Sequence, residues 1–367
     1  MKPKNGIERI AQLAKVSIGT VDRALHGRSE ISETTRERVL RIARQLGYEP
    51  NLAARALSKR RRPIRIGVCI PREIHFFYDQ LWEGIYDEAR RYRDYGIDFV
   101  FRALPELGVG EGAELEKVLQ SGVHGIVVTP GRPAETTPLI NRAEENGVRV
   151  VCVSTDAPAS NRSSIVCVDP ELNGFIAGEL MAQFVRPKAK VAIITGMLET
   201  EDHSKKCQGF SASFPLICAE GQICEIIEGH EDEDECSLKV SKLLSMVPDL
   251  EGIYVSTVNC RPVCKVLENR GKGSPIKLIT TDLFREMIPH FNNRTICASI
   301  YQRPYQQGRT AINIIAEHLT HQAALPPTNY LNPSIVLQSN VHLFRESRAT
   351  GNSAEEKREL SNFASPC

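Results

Sequence analysis

The stretch IAQLAKVSIGTVDRAL, residues 10–25, decides how the N-terminal part of this chain folds. Its apolar residues recur three or four positions apart on both sides of a short Lys-Val break, which is the spacing of amphipathic helices. Ser17 follows that break and is of a residue type that caps helix N-termini. The stretch predicts a helix over residues 7–14, a turn, and a second helix over residues 18–25.

A third helix is predicted to begin at Ser32-Glu33-Thr34-Thr35, where a capping residue precedes acidic and hydroxyl side chains. Apolar residues behind this start fall on one helical face, which can close a small core over the first two helices. They are Val39, Ile42, Ala43 and Leu46. The N-terminal segment is therefore expected to be a three-helix unit with helix-turn-helix spacing.

Charge is divided unevenly along the chain, although the net charge is only +1. Residues 1–63 hold 15 Lys and Arg against 6 Asp and Glu, so this segment carries +9. The remainder holds 31 against 39 and carries −8. A basic helical segment attached to an acidic body is the electrostatic footprint of a nucleic-acid-binding head.

The second helix of such a unit lies in the major groove with its N-terminal residues at the base edges. This geometry nominates Ile18, Gly19, Asp22 and Arg23 as readers of double-stranded DNA. Of these, Arg23 can make a bidentate contact to guanine. Gly19 offers no side chain, and close approach of the helix to a backbone or base is an equally good explanation for it.

The head resembles the DNA-binding head and hinge of LacI/GalR-type bacterial repressors. The resemblance rests on residues 10–25, on VLRIARQLGYEPN at residues 39–51, and on AARAL at residues 53–57. In that family, hinge helices from a dimer form on the operator, enter the minor groove and wedge a leucine between the central bases. An apolar wedge unstacks a base step at a cost of about a few kcal/mol and gains a bent site with more contacts.

The resemblance implies further DNA contacts. Leu57 matches the wedging leucine, and Ala54 matches the small residue that lets the hinge helices pack closely. Phosphate contacts are implied for Ser17, Thr20, Ser32, Thr35 and Tyr48, and Asn51 belongs to the motif that opens the hinge. The chain departs from the family at Lys15, where a glycine is common, and at Ile18 and Gly19, where polar residues are common.

From residue 64 onward, short apolar runs alternate with amphipathic stretches, which predicts parallel sheets covered by helices on both faces. Strands are expected at residues 64–70, 97–102, 125–129, 148–154, 190–195, 222–227, 252–256 and 277–282. Helices are expected at residues 79–95, 112–121, 134–146, 206–214, 236–246 and 261–270. The fold class is therefore an all-α helix-turn-helix head followed by an α/β body of two doubly wound parallel-sheet lobes.

The body resembles the ribose-binding-type periplasmic binding fold that LacI-type repressors carry. The resemblance implies three crossings between the lobes, which we place near Val168-Asp169, near residues 299–301 and near Thr328. The expected divisions are a head (1–50), a hinge and basic linker (51–63), an effector-binding and dimerisation domain (64–344), and a disordered polar tail (345–367). Within the body, the first lobe takes residues 64–168 and 300–328, and the second takes residues 169–299 and 329–344.

A doubly wound sheet binds ligands outside the carboxyl ends of its strands, so two facing lobes place a ligand between those ends. Polyols require carboxylates and amides for their hydroxyls and aromatic faces for the C–H face of the ring. The candidates are Phe76, Phe77, Asp156, His203, Asn259, Asp282 and Gln302. The phenylalanines, aspartates and glutamine match sugar-binding residues of ribose-type proteins. His203 is expected to face the ligand in preference to Lys206, where related sequences often carry an arginine.

These candidates have structural alternatives. One of Phe76 and Phe77 could belong to the core, since phenylalanines are usually buried for packing. Asp156 and Asp282 could merely cap a following helix.

Other patterns only mimic chemical sites. The run GHEDEDEC at residues 229–236 has metal-capable side chains, but acidic residues before a helix complement its dipole without an ion. The pair His318-x-x-His321 lacks further ligands nearby, and GVGEG at residues 108–112 lacks the spacing of a nucleotide-binding loop. No nucleophile motif stands out, so we expect no enzyme activity, metal or cofactor.

The cysteines and the N-terminus indicate the compartment. The 11 cysteines include no Cys-x-x-Cys pair, and several lie in apolar runs, which predicts buried, reduced thiols of a cytosolic protein. They include Cys69, Cys152, Cys167 and Cys297. The chain has no signal peptide and no long apolar run, so it is expected neither to be secreted nor to span a membrane.

These features predict a cytoplasmic, sugar-responsive transcription factor, most simply a repressor. A homodimer is expected because one head reads a half-site too short for specificity, whereas a two-fold dimer reads a palindromic operator. Two alternatives share the body. A solute-binding protein would need a signal peptide and no basic head, and a sugar-modifying enzyme would need a nucleophile or an acid pair in the cleft.

Overall fold

A computed structural model describes residues 7–25, 31–46, 63–72, 75–93, 95–257, 259–270 and 276–344. The chain divides into a head that ends at Pro63 and a body that begins at Ile64. In the described part, no helix is both long and apolar enough to cross a membrane.

The head contains three helices: α1 (Ile7–Ala14), α2 (Ile18–Leu25) and α3 (Glu33–Gln45). The bounds of α1 and α2 confirm those predicted from apolar spacing. The core of the head consists of Ile10, Ala11, Ala14, Val21, Ala24, Val39 and Ala43. Leu46, expected on the apolar face of α3, is instead 45% exposed, because α3 ends one residue before it.

The turn between α1 and α2 has a left-handed backbone at Lys15, whose φ is 51°. The Val16 amide donates to the Ala11 carbonyl at 3.0 Å and closes the end of α1. The Ser17 hydroxyl accepts from the Thr20 amide at 3.1 Å, which confirms the predicted cap of α2. The tight turn is thus made by a residue with a Cβ in a conformation that favours glycine.

The body alternates strands and helices. Its strands are β1 (Ile64–Pro71), β2 (Ile97–Leu104), β3 (Gly125–Val128), β4 (Arg149–Val153), β5 (Ser164–Val168), β6 (Lys190–Thr195), β7 (Gln222–Glu228), β8 (Leu250–Val255), β9 (Lys277–Thr281), β10 (Ile296–Tyr301), β11 (Thr328–Leu331) and β12 (Ser334–Val336). Its helices are α4 (His75–Arg93), α5 (Glu111–Gln120), α6 (Pro133–Glu145), α7 (Pro170–Phe184), α8 (Glu201–Ile217), α9 (Glu233–Met246), α10 (Arg261–Asn269), α11 (Ile288–Asn292) and α12 (Pro304–His321).

The strands form two six-stranded sheets, one in each lobe. The first has the order β11-β5-β4-β3-β1-β2 and is parallel throughout, and the second has the order β12-β10-β9-β8-β6-β7. In the second, only β12 runs antiparallel, beside β10. Residues 328–331 pair with β5, so the third crossing between the sheets follows Leu331 instead of falling at Thr328.

Helices cover both faces of each sheet, as predicted for doubly wound lobes. In the first lobe, α5 and α6 pack on one face, while α12 packs beside α4 and on strands β3 to β5. In the second lobe, α7 and α8 cover one face and α9, α10 and α11 the other. Helices α7 and α8 lie so close that a Cβ at Gly174 would be 1.9 Å from the Lys206 carbonyl oxygen. This approach fixes the start of α8, where polar side chains cluster.

Ten cysteines fall in the described ranges, and all are free thiols. Cys69, Cys152 and Cys167 are buried as predicted, whereas Cys297 is only half-buried. The register of β10 against β9 shifts between Ile296 and Ala298, so Cys297 is the bulged residue and is turned partly out of the core.

Replacing Lys15 by glycine should stabilise the head, because the left-handed conformation costs a side-chain-bearing residue about 1 kcal/mol or more. We expect the amides of α1 and α2 to exchange with deuterium about fivefold more slowly in full-length Lys15→Gly. Lys15→Ala removes the same charge but keeps the Cβ and should not slow exchange. Equal protection in both variants would contradict the role of the left-handed turn.

Candidate functional site

The exposed N-terminal turn of α2 carries two of the residues predicted to read DNA, Ile18 and Gly19. Ile18 is 53% exposed and Gly19 is also exposed. An added Cβ at Gly19 would lie 3.7 Å from a guanidinium nitrogen of Arg23, which is ordinary van der Waals contact. The packing of the head therefore does not require a glycine at this position. Arg23 lies along the same surface as Ile18 and Gly19.

Hydroxyl side chains cluster at the starts of α2 and α3. The hydroxyl oxygens of Ser17 and Thr20 are 2.9 Å apart. The Ser32 hydroxyl donates to the Thr35 hydroxyl at 2.8 Å and accepts from the Thr35 amide at 3.3 Å. Helix N-termini with free N–H groups and hydroxyls are suited to phosphate oxygens.

The remaining DNA-contact predictions lie outside the described residues. They concern the side chain of Asp22 and residues Tyr48, Asn51, Ala54 and Leu57. Their roles stay predictions.

In the body, Asp282 and Gln302 meet at the carboxyl ends of β9 and β10. The Asp282 carboxylate accepts from the Gln302 amide at 2.9 Å and from the Gln302 side-chain nitrogen at 2.6 Å. Asp282 is 2% exposed and has a left-handed φ of 64°. The short helix that follows it has Phe284 as its N-cap residue and no side-chain cap hydrogen bond. Asp282 therefore joins two strand ends and does not act as a helix cap.

Burial raises the pKa of Asp282 to about 6, and the nearby Lys206 ammonium partly opposes this rise. Because the folded pKa lies above the ordinary carboxyl value, this group favours folding at low pH. That contribution is lost as the pH rises through about 6. At neutral pH the protein thus carries a buried carboxylate whose desolvation is only partly offset by its partners.

Lys206 and Asp202 form a second buried pair on α8. Lys206 is 1% exposed, and its ammonium lies 2.6 Å from Asp202 Oδ2. Asp202 Oδ1 is buried with no hydrogen-bond partner among the described residues. That His203 faces the ligand in preference to Lys206 stays a prediction, and the Lys206 ammonium is close enough to Asp282 to lower the pKa of its carboxyl.

Asp156, which follows β4, is held by Arg162. The Asp156 Oδ2 oxygen accepts from an Arg162 nitrogen at 2.6 Å, and its Oδ1 accepts from Arg162 Nε and from the Ala157 amide. The guanidinium also donates to the Pro327 carbonyl at 2.9 Å. Asp156 is thus a fixed carboxylate at the edge of the first sheet and caps no helix.

His203, Asn259 and Glu231 lie together at the carboxyl edge of the second sheet. The His203 Nδ1 accepts from the Met197 amide at 3.0 Å, and its Nε2 is 3.8 Å from Glu231 Oε1. The Asn259 amide donates to the Glu231 carbonyl at 3.1 Å. The sequence reasoning missed Glu231, because it treated the whole acidic run as helix-dipole residues. Only Asp232 of that run caps α9, by accepting from the Glu235 amide at 2.7 Å.

Phe77 lies in the first turn of α4 and is buried, with its ring 5.2 Å from that of Tyr78 in an edge-to-face arrangement. This packing agrees with the core alternative for one of the two phenylalanines. The side chain of Phe76 is outside the described residues.

Hydrogen bonds join the rims of the two lobes. The Thr200 hydroxyl donates to the Gly131 carbonyl at 2.8 Å, and the Asp202 amide donates to the Thr155 hydroxyl at 3.2 Å. The Arg132 side chain donates to Glu199 at 2.8 Å. The strand ends of the two lobes are therefore held facing each other. A cavity of about 210 Å³ beside this contact is lined by Asp156, Asp169 and Asp202 among others.

The patterns set aside in the sequence have ordinary partners. His318 contacts the Ala323 carbonyl at 2.7 Å, and His321 contacts Glu317 at 2.9 Å. Among the residues that the structure describes, no three His, Cys, Asp or Glu side chains are grouped to hold a metal ion.

Two family models match the chain. Residues 6–51 match the lacI family of bacterial regulatory proteins, and residues 66–323 match a periplasmic binding protein domain. A similar protein is catabolite control protein A of Priestia megaterium, 26% identical over 85% of this chain and 92% of that protein. Its Staphylococcus aureus namesake is 29% identical over 54% of this chain and about half of that protein.

Solved structures resemble the body. An ABC transporter solute-binding protein of Burkholderia graminis, in complex with D-arabinose, covers 80% of this chain and all of its own with a TM-score of 0.71 at 22% identity. The glucose-galactose binding protein GanP of Geobacillus stearothermophilus covers 76% of this chain and 99% of its own, with a TM-score of 0.70 at 25% identity.

The spacing and capping of the head, the two doubly wound lobes and both family matches agree: the chain belongs to the periplasmic binding protein domain family over most of its length, and its N-terminal head is a helix-turn-helix domain of the lacI type.

Proposed function

We propose that this protein is a cytoplasmic repressor that binds a palindromic operator as a homodimer and responds to a sugar or sugar derivative between its lobes. One observation carries the proposal. A helix-turn-helix head and two lobes with buried carboxylate and amide groups at their strand ends occur in the same chain. Such a chain has a surface for DNA and a separate cleft for a small polar molecule.

On the DNA side, Ile18 and Arg23 are the proposed base contacts of the head. An exposed isoleucine suits the methyl group of thymine, and the Arg23 fork suits guanine. The hydroxyls at the starts of α2 and α3 suit phosphates. Leu57 is the proposed minor-groove wedge, and Ala54 the small residue beside it.

On the effector side, the proposed polar contacts are Asp156, His203, Asn259, Asp282 and Gln302, with Phe76 and Phe77 as aromatic candidates. Buried acceptor groups of this kind suit ligands with many hydroxyls. The proteins of similar fold that bind D-arabinose, or glucose and galactose, support a monosaccharide-sized ligand.

Homodimer formation is supported by apolar surface on the second lobe. Strand β7 is an edge strand of its sheet and exposes Ile226. Helix α9, which follows it, exposes Leu238 (72%) and Met246 (68%). A second copy of the chain would remove these side chains from water.

We propose that effector binding changes the angle between the lobes and thereby orders or melts the hinge segment, residues 51–63. A ligand can shift this equilibrium only if it contacts one lobe arrangement better than the other. The hydrogen bonds between the rims, such as Thr200 to Gly131, are contacts of this kind.

The wedge is tested by Leu57→Ala. We expect a much larger loss of affinity for the selected operator than for random DNA, because only the specific complex orders the hinge and unstacks the central step. The measurement is a binding titration on both DNAs, with Leu216→Ala, an exposed position on the body, as the control. Equal losses of affinity for the operator and for random DNA would contradict the assignment of Leu57 to the hinge.

Base readout is tested by Arg23→Ala. The variant should lose about 1 to 3 kcal/mol of binding free energy on the operator. It should also relax the base preference at one position of each half-site. Selection from randomised half-sites gives the profile. Arg41→Ala removes the same charge from exposed α3 and should leave the profile unchanged. An unchanged profile for Arg23→Ala would mean that Arg23 contacts phosphate alone.

The effector cleft is tested by Asp282→Ala. Loss of a buried charged acceptor should weaken effector binding by about 1.5 to 3 kcal/mol, while the affinity for DNA in the absence of effector stays constant. The measurement is operator binding across a titration with whichever pentose or hexose alters binding by the parent. Asp234→Ala, at an exposed acidic residue, is the control. If Asp282→Ala melts earlier but responds as the parent does, Asp282 is structural and the cleft assignment is wrong.

A further inference from the structure

Glu231 is a buried carboxylate with one unused oxygen. Its side chain is 9% exposed, and its Oε1 accepts from the Thr257 hydroxyl. Its Oε2 is buried with no hydrogen-bond partner among the described residues. An acceptor left in this state is costly, and a hydrogen-bond donor from a bound ligand would reduce that cost.

The backbone is strained to bring this carboxylate inward. His230 and Glu231 have φ angles of 47° and 59°, in the left-handed region that residues with a Cβ avoid. Strain of this kind persists where the surrounding structure imposes it, and it clusters at ligand sites. Neighbouring Asp232 and Glu235 instead serve the start of α9.

The space for the Glu231 side chain exists because position 196 is a glycine. A Cβ at Gly196 would lie 2.3 Å from Glu231 Oε1 and 2.4 Å from His203 Cε1. Gly196 directly follows β6, and Thr257 comes just after β8. The carboxylate therefore lies at the carboxyl edge of the second sheet, where that lobe faces its partner lobe.

The cations near the facing strand ends are already engaged by the protein. Lys206 is paired with Asp202 and Arg162 with Asp156. At the end of β1, the Arg72 guanidinium lies over the Trp82 ring, 5.9 Å from its centroid. Unused acceptors remain on the second lobe, namely Glu231 Oε2 and Asp202 Oδ1. An anionic ligand would meet these oxygens as like charges, and among the described residues Lys206 and Arg162 are already paired with carboxylates.

We propose that Glu231 determines the charge of the effector: it binds hydrogen-bond donors of a neutral or amino-bearing polyol and rejects phosphorylated or acidic sugars. This inference rests on the proposed sugar-responsive function. His203 supports the carboxylate from the side, since its Nδ1 accepts from Met197 and its Nε2 is turned toward Glu231.

The first experiment compares ligands of different charge on the full chain. Thermal unfolding and calorimetric titration are run with D-glucose, D-galactose, D-allose, D-arabinose, myo-inositol and D-glucosamine, and with glucose 6-phosphate and D-glucuronate. We expect binding in the neutral or amino set and none in the anionic set. If only an anionic sugar binds, this inference is overturned while the sugar-responsive regulator stands. If no probe binds, the sugar effector itself is contradicted, and the inference falls with it.

The second experiment changes the residue. Glu231→Gln should lower the affinity for the bound polyol about 10- to 100-fold. It should also reduce the difference in affinity between that polyol and its phosphorylated form. Glu231→Asp keeps the charge and should still reject glucose 6-phosphate. The control is Glu233→Gln, which removes a half-exposed carboxylate that pairs with Lys265. Its affinity for the polyol should stay within about twofold of that of the parent. Unchanged affinity in Glu231→Gln, with unfolding like that of the parent, would overturn the proposal.

Discussion

Parallel strands bring all their carboxyl ends to one edge of a sheet, and this constraint decides where chemistry can lie in the body. Asp282 and Gln302 are twenty positions apart, yet they touch because β9 and β10 are neighbours running in the same direction. Asp156 stands at the matching edge of the other sheet. With two lobes facing each other, residues that follow strands are collected into one cleft.

The cleft is organised around charges that are expensive to bury. Three pairs offset part of this cost: Asp282 with Gln302, Asp202 with Lys206, and Asp156 with Arg162. Carboxylate oxygens without a partner among the described residues remain beside these pairs. The raised pKa of Asp282 likewise shows that the cost of burying its charge is only partly offset. A ligand rich in donors would complete these contacts, and we propose that a small molecule favours one arrangement of the lobes in this way.

The head depends on simpler physics. Its core consists largely of alanine, valine and isoleucine, and basic side chains such as Lys15 and Arg41 are exposed outside it. The isoleucine and glycine at the start of α2 are exposed, and the packing of the head does not require either of them, which is consistent with their proposed contact to DNA. The proposed surfaces for DNA and for the effector thus lie in separate units, and the proposed link between them is the hinge segment.

The sequence by itself determined the elements and the general location of the sites. Apolar spacing placed α1 and α2 to the residue, because helix periodicity and Ser17 capping are local properties. The rule for strand ends nominated Asp282 and Gln302 as neighbours of a ligand. Sequence reasoning could not choose among the acidic residues 231–235, since each has the same chemistry and a similar local context. Only the tertiary structure decided that Glu231 turns inward, because a left-handed backbone and the space at Gly196, distant in sequence, act together there. The bulge at Cys297 and the exposure of Leu46 were likewise decided by register and by where a helix ends. Periodicity fixes which residues share a face, whereas the contacts between faces are set by packing.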